Sequence, residues 1–347
     1  MTLIQARAAR DAARKLVEQG IHPSHHRQRT RLTQQFEHAN TFEAVAREWM
    51  QAHVEHPSAP WSTNTYRQRK NLLESEFFPH IGALPMRQVT PAHAHAIVAR
   101  IAKRAPQMAV IARQSFGSIS RLAIRTGRAD TELGYVLRDA VKTADTVHKT
   151  PLAAHEIPQF FRALEKYPGT PMLKGGIRLQ WLTLTRPIEV IKARVEQFHL
   201  ENGVWSIPSA TMKKRQPHRV PLPRQAIEIV RALLPFVGTS GPLIPNRKDP
   251  SRSASAGVFA KAFSSMGYDG KFSPHGVRVT GRTILGEQGH PRDVLERQLA
   301  HVDKKHVRAY DQGDRLEARR KIMQGYADYL DALCAGANVI PIKSRRA

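Results

Sequence analysis

Between residues 126 and 150 the chain loses its period. Thr126 to Thr150 is polar, includes Gly127 and Gly134, and shows no sustained apolar repeat, whereas the stretches on both sides repeat their apolar residues at helical spacing. A chain interrupted in this way does not close around one core. Its 347 residues are enough for two domains, each with a core of its own, and the linker is expected near Val147–Thr150. The resulting division is an N-terminal helix over residues 1–37, a helical domain over 38–147, a second domain over 148–333 and a tail over 334–347.

In the first segment the run from Leu3 through Ala6 and Ala9 to Leu16 and Val17 predicts a helix that stops at Gly20, with Pro23 beyond it. His22, His25 and His26 follow. Without Cys or carboxylate companions at ligand spacing they read as a solvated loop rather than a metal site. Thr41 is placed to cap a helix whose apolar stripe is Phe42, Val45, Ala46 and Trp49. Further helices are expected from about Thr63 to Phe78–Gly82, carrying Tyr66, Leu72 and Leu73, from Pro91 to Lys103, and from Met108 to Arg125.

Beyond the linker, Thr150-Pro151 is expected to open a helix carrying Ile157, Phe160, Phe161 and Leu164. A second helix with Ile177, Trp181 and Leu184 delivers the chain to Thr185-Arg186-Pro187. Val204–Ile207 and Arg219–Leu222 read as the strands of a hairpin whose turn contains Met212 to Pro217. Ile227, Val230, Leu233 and Leu234 mark another helix, and the Gly/Pro/Ser-rich segment Gly238–Ser255 is expected at the surface. The fold class that follows is mostly α with a small β-hairpin or sheet, an α+β arrangement.

Charge narrows the partner. Fifty-four Lys and Arg against 29 Asp and Glu leave +25, with a pI near 10.8, and residues 1–150 carry +10 of this against +15 for residues 151–347. Charge confined to one tail would indicate a disordered arm; spread over both halves, it indicates two domains facing one polyanion, and nucleic acid is the simplest. Charge alone leaves open a basic ribosome-associated or merely soluble protein. The single cysteine, Cys334, rules out a disulfide framework and a cysteine metal site, and fits the reducing cytoplasm. No apolar run reaches membrane length, and Met1-Thr-Leu-Ile-Gln-Ala-Arg7 is too charged for a signal peptide.

The residues that carry chemistry gather between Phe272 and Tyr310. Phe-Ser-Pro-His275-Gly-Val-Arg278 opens the span, Leu-Ala-His301 follows, and Tyr310 comes nine positions later. Upstream stand Arg186, in Leu-Thr-Arg-Pro-Ile-Glu, and Lys213, in Met-Lys-Lys-Arg-Gln-Pro-His-Arg-Val-Pro-Leu. These types suit phosphoryl transfer without a metal. A phosphodiester under attack gains charge on its non-bridging oxygens, which the guanidinium forks of Arg186 and Arg278 would stabilise. A tyrosine hydroxyl, with a pKa of about 10, needs cationic surroundings and a base, for which His275 or His301 would serve. The leaving 5′ oxygen needs a proton, and Lys213 on a mobile hairpin would deliver it. Purely structural alternatives are an ion pair with Glu189 for Arg186 and a satisfied buried imidazole for His301. Tyr326 and Tyr329 are rival tyrosines, but they share an amphipathic helix with Leu330 and Leu333 and read as core.

The ordered set Arg186, Lys213, His275-x-x-Arg278, His301 and Tyr310, flanked by Val-Pro-Leu, Pro-His-Gly and Leu-Ala-His-Val-Asp, resembles the tyrosine recombinases, the phage integrase family, over roughly Thr150 to Leu330. It is most similar to the prophage integrase branch, through Pro-His-Arg-Val-Pro-Leu, Glu317-Ala-Arg-Arg-Lys-Ile-Met323, Tyr326-Ala-Asp-Tyr-Leu330 and Ala337-Asn-Val-Ile-Pro341. It departs from the family pattern at Ile188, where glycine is usual, and at Val279, where histidine is usual. The resemblance implies a core-binding DNA-binding domain over 38–147 and a catalytic domain over 148–333. It implies a site-specific recombinase that integrates or excises a mobile element: Tyr310 attacks the scissile phosphate, leaving a 3′-phosphotyrosyl bond and a free 5′ hydroxyl, with no cofactor and no metal. A catalytically inactive integrase-derived DNA-binding protein and a type IB topoisomerase are the alternatives.

The implied partners are double-stranded DNA attachment sites, further copies of the chain in a homotetramer on synapsed DNA, and host DNA-bending accessory proteins, with no membrane. Arg67, Arg69, Lys70 and Arg100, with Lys103, Arg113, Arg121 and Arg125, would face phosphates from the helical domain, and Lys214, His218 and Arg219 from the hairpin. Lys214 is also the alternative to Lys213, although the strand period aims it at the opposite face. Residues 1–37 are expected to be a remnant of an arm-binding domain or to stand in its place. Val339-Ile340-Pro341-Ile342 in the tail is expected to dock on an adjacent protomer, with its own domain as the alternative.

Overall fold

Thr41 caps a helix as its position predicts: in the computed structural model, which describes residues 2–137, 151–209, 217–301 and 315–336, its hydroxyl accepts from the Ala44 amide at 3.2 Å. Two helices precede it, α1 (Leu3–Glu18) and α2 (Pro23–Ala39). The second corrects the expected loop. Pro23 stands in the first turn of α2, where its missing N–H has no bond to lose, so the chain re-enters helix soon after the left-handed Gly20. His25 and His26 lie on α2, with His22 as the residue before it.

By the contacts within it, the chain falls into two compact units, residues 1–146 and 147–347. In the first, α3 (Phe42–Val54), α4 (Thr63–Leu72), α5 (Pro91–Arg104) and α6 (Pro106–Arg125) stand where the apolar stripes put them. Leu73–Gly82 continues α4 in a wider π-helical winding that takes up Pro79. Phe42 lies 6.0 Å from Phe77 and 5.5 Å from Phe116 between ring centroids, at the centre of this core. The stretch after Thr126, polar and without a period, still contributes to the core, and the linker expected near Val147–Thr150 lies outside the described residues. A short helix, α7 (Leu133–Val136), buries Leu133, and Leu137 beyond it is buried in the same core. Gly117 and Gly134 let α6 and α7 touch backbone to backbone; a Cβ on Gly134 would stand 2.4 Å from the Gly117 Cα.

In the second unit α8 (Ile157–Lys166) starts later than Pro151, because the entry is held outside the helix. The Leu152 amide donates to Thr280 Oγ1 at 3.0 Å and the Ala153 amide to Glu156 Oε2 at 2.7 Å, so Pro158 rather than Pro151 occupies the first turn. α9 (Pro171–Thr183) ends on Leu184 in the left-handed region, φ 52°, and α10 (Pro187–Ile191) begins just after Arg186. The strands β1 (Phe198–His199), β2 (Val204–Ile207) and β3 (His218–Pro221) form an antiparallel sheet in that order, with Trp205 opposite Val220 and Ile207 opposite His218. The sheet adds β1 to the expected hairpin, whose turn residues Lys213 and Lys214 lie outside the described residues.

The chain continues through α11 (Arg224–Val237), α12 (Val258–Phe263), α13 (Gly276–Glu287), α14 (Arg292–Gln298) and α15 (Leu316–Cys334). Gly238–Ser255 is not wholly a surface loop: Leu243 and Ile244 are buried in the core around Phe160, Trp181, Phe263 and Phe272. The described residues are thus mostly helical with one small sheet.

Candidate active site

The N-terminus of α13 and the turn after α14 bring Arg278 and His301 together. Arg278 is only 3% exposed. One of its terminal nitrogens donates to the Leu184 carbonyl, and the other to the Leu299 carbonyl at 2.7 Å and to His301 Nε2 at 3.2 Å. Arg186 joins the same turn. Its Nη2 donates to the Ala300 carbonyl at 3.2 Å, while its Nη1 meets Glu189 Oε1 at 2.7 Å and its amide meets Glu189 Oε2 at 2.8 Å. The ion pair weighed as the alternative for Arg186 is therefore present, and it anchors the arginine inside the cluster rather than away from it.

Two of the carbonyls that fix the arginines, those of Leu184 and Ala300, come from strained backbone. Leu184 (φ 52°) and Ala300 (φ 49°) both occupy the left-handed region, which costs a residue with a Cβ about 1–2 kcal/mol. Packing holds Leu184 there: α13 carries Gly281 against it, and a Cβ on Gly281 would stand 2.3 Å from Leu184 Cδ2. Neither left-handed residue has a sequence signal, since glycine or asparagine is the residue expected in that conformation.

Burial and the neighbouring guanidinium of Arg186 pull the Arg278 pKa down to about 10, so it stays charged at neutral pH. His275 is exposed at the start of α13. Burial, then the charges of Arg278 and Arg186, lower the pKa of its imidazole, and His301 is lowered by burial and Arg278 against the opposing pull of Glu296. Both imidazoles are thereby held neutral near pH 7 and able to accept a proton. Lys213 and Tyr310 lie outside the described residues. The rivals Tyr326 and Tyr329 sit as read: Tyr326 is fully buried and Tyr329 packs half-buried against the same core.

Three residues that sequence reasoning passed over complete the site. Glu296, one turn before His301, accepts from His301 Nδ1 at 3.0 Å and from Arg282 at 2.6 Å. Gln298, buried, donates to the Thr183 carbonyl at 2.8 Å. Arg319, 1% exposed on α15, donates to the Arg219 carbonyl at 2.7 Å and so ties β3 to the site.

His218 is corrected as a phosphate ligand. It is buried, its Nε2 donates to the Gln298 carbonyl at 3.1 Å, and burial together with Arg319 drives its pKa down to about 4. Arg219, beside it on β3, is exposed as expected. Of the helical unit's cations, Arg69 is likewise corrected. It turns inward from α4, donates to the Ile111 carbonyl at 2.8 Å and to Ser115 Oγ at 2.7 Å, and is half-buried. Arg67, Lys103 and Arg125 are exposed, and Arg113 and Lys70 are half-buried. Arg100 is held by Glu76 at 3.3 Å and Arg121 by Glu132 at 3.0 Å. Among the described residues no three His, Cys, Asp or Glu side chains stand together to hold a metal ion, and no helix is long and apolar enough to cross a membrane.

Comparison with known proteins places these observations. Residues 151–316 match the phage integrase family and residues 42–140 the phage integrase central domain. The integrase of Enterobacteria phage P4 is 33% identical over 95% of this chain and 78% of its own length. The prophage integrase IntZ of Escherichia coli (strain K12) is 32% identical over 97% of this chain and 82% of its own. Two solved structures share the fold at low identity. A lambda integrase tetramer bound to a Holliday junction has a TM-score of 0.61 at 15% identity, over 81% of this chain and 84% of that one. The Tn1549 transposon integrase in complex with a circular intermediate DNA has 0.59 at 14%, over 81% and 98%.

Proposed function

The chain belongs to the phage integrase family and is a tyrosine-type site-specific recombinase, and from that premise we propose which residues cut the DNA and how. Tyr310 Oη attacks the scissile phosphorus while the bond from phosphorus to the 5′ oxygen breaks. The tyrosyl proton passes to His275 or His301, and the departing 5′ oxygen takes a proton from Lys213. A 3′-phosphotyrosyl bond and a free 5′ hydroxyl result. The hydroxyl of a partner strand reverses the step, so the energy of the phosphodiester is conserved and no nucleotide is consumed. Arg186 and Arg278 stabilise the charge gained by the non-bridging oxygens.

One observation carries this reading: Arg278 and Arg186 are fixed to the successive carbonyls of Leu299 and Ala300, immediately before His301, so two forks and an imidazole share one turn. DNA is the substrate, as it is for the lambda and Tn1549 integrases solved on it. Residues 38–147 bind the core site and 148–333 cut it. The working assembly is a homotetramer on two attachment sites, aided by host DNA-bending proteins, and its place is the cytoplasm beside the nucleoid.

The experiment is a suicide substrate that traps the covalent intermediate. Wild-type protein should give an adduct that survives denaturation, and Tyr310→Phe should give none while binding the duplex with nearly unchanged affinity. An adduct formed by Tyr310→Phe moves the nucleophile elsewhere, and no adduct from the wild type leaves a binding protein without cleavage activity. Recombinant or junction products distinguish strand exchange from topoisomerase-like religation.

A further inference from the structure

His301 is held between two groups of opposite kind. On one side Arg278 Nη2 stands 3.2 Å from its Nε2; on the other, Glu296 Oε2 stands 3.0 Å from its Nδ1. A guanidinium has only protons to give and an ionised carboxylate only lone pairs. Nε2 must therefore accept and Nδ1 must carry the proton. Glu296 is itself fixed, because Arg282 on α13 donates Nε at 3.0 Å and Nη2 at 2.6 Å to its other oxygen, Oε1. Burial alone would raise the Glu296 carboxyl, but the bonds and charges of Arg282 and His301 bring it below the usual carboxylate range, so it is ionised wherever DNA is handled.

We propose that Glu296 is a positioning residue for strand cleavage: it locks His301 in the Nδ1–H tautomer, so that the Nε2 lone pair points at the Arg278 guanidinium and the scissile phosphate that guanidinium would hold. The idea rests on the reading of His301 as part of the cleavage site. A histidine fixed by one carboxylate keeps one ring orientation, and the carboxylate stabilises the imidazolium that forms once Nε2 gains a proton. The charged groups facing His301 among the described residues are Glu296 from α14, Arg278 from α13 and Arg186 ahead of α10; the arginines favour the neutral ring and Glu296 the charged one.

The purely structural alternative is that Glu296 serves only as a strut to Arg282 between α13 and α14. Three variants of the full-length protein separate the two. Single-turnover cleavage of a suicide substrate is followed against pH, and the limb that disappears in His301→Gln is assigned to His301. In Glu296→Gln that limb should move to lower pH by about one unit, the scale of removing one neighbouring opposite charge. Cleavage at neutral pH should fall roughly tenfold, with duplex affinity unchanged. Arg282→Ala, which breaks the strut but leaves the carboxylate, should keep the limb within a few tenths of a unit. Selective ¹⁵N labelling of histidine, with His301 assigned by its loss in His301→Gln, should show the wild-type proton on Nδ1.

A wild-type proton on Nε2 would overturn the proposal, as would an unmoved limb in Glu296→Gln or equal effects of Glu296→Gln and Arg282→Ala. Cleavage in His301→Gln at the wild-type rate and pH dependence would instead remove His301 from the cleavage site. The proposal would fall with it, and the labelling experiment would show whether the tautomer lock exists without that role.

Discussion

In the helical unit Arg100 and Arg104 are held by Glu76, Arg121 by Glu132 and Arg128 by Glu48, whereas in the second unit Arg278, beside the Glu189-paired Arg186, is held by the carbonyls of Leu184 and Leu299. The difference is one of charge left over. A carboxylate satisfies a guanidinium's donors and cancels its charge. A carbonyl satisfies the donors and leaves the charge in place. Where such pairs are exposed they contribute little to stability and exchange partners readily. For Arg278 the main-chain oxygens fix a direction and leave the charge undiminished, while Arg186 takes its direction from Glu189 and the Ala300 carbonyl together.

The largest effect is expected at Arg278. Arg278→Ala should slow single-turnover cleavage by two to three orders of magnitude, about 3–4 kcal/mol of transition-state stabilisation, while duplex affinity at fixed salt falls less than about threefold, because many other phosphate contacts remain. Loss of affinity in step with rate would make Arg278 one phosphate anchor among many.

The next effect is one of acid sensitivity. His218 folds as a neutral imidazole with its pKa at about 4, against 6.5 ordinarily, so on acidification the unfolded chain takes up the proton first. Stability from this group is complete above pH 6.5 and is lost as pH falls towards 4, by up to about 3 kcal/mol. Urea unfolding across that window should show the loss in the second unit. His218→Gln, which keeps a donor for the Gln298 carbonyl without titrating, should flatten the slope.

A smaller effect tests the carboxylate side. Glu76→Gln releases Arg100 and Arg104 from a charged partner, so duplex affinity at low salt should rise roughly fivefold, with a steeper salt dependence. No change in a salt titration would mean that this face does not meet DNA. The smallest expected change is at Ala300. Glycine there relieves the left-handed strain but adds chain entropy to the unfolded state, leaving a gain of about 0.5 kcal/mol in thermal unfolding. A loss would show that the alanine methyl contributes packing worth more than the strain.

The parts of this molecule legible in its sequence are those written in local spacing. Phe42, Val45, Ala46 and Trp49 on one stripe after Thr41 give a capped helix, and the helix appears. Arg186, His275, Arg278 and His301 were found by type and order, and the fold brings Arg186, Arg278 and His301 onto one hydrogen-bonded turn. What escaped depends on contacts far apart in the chain. Nothing near Arg69 says that Ile111 and Ser115 will receive it, and nothing near His218 says that the Gln298 carbonyl, 80 positions on, will close over it. Leu133 and Leu137 look like isolated apolar residues in a polar stretch until Gly117 and Gly134 allow the approach that buries them. Glu296 carries no motif at all, and its meaning comes from the lone pairs and protons around it.

Arg278 is 3% exposed and stands beside the like charge of Arg186, a combination that pulls its pKa down to about 10. Two like charges held close together in a buried setting repel, and an anion bound by both would relieve that repulsion. The hydrogen bonds of Arg186 and Arg278 already join the end of α9, α13 and the turn after α14, and an anion that binds only the folded protein would add to the stability of that junction. An anionic substrate would then supply the counter-charge that the carbonyls around Arg278 leave out of this buried corner.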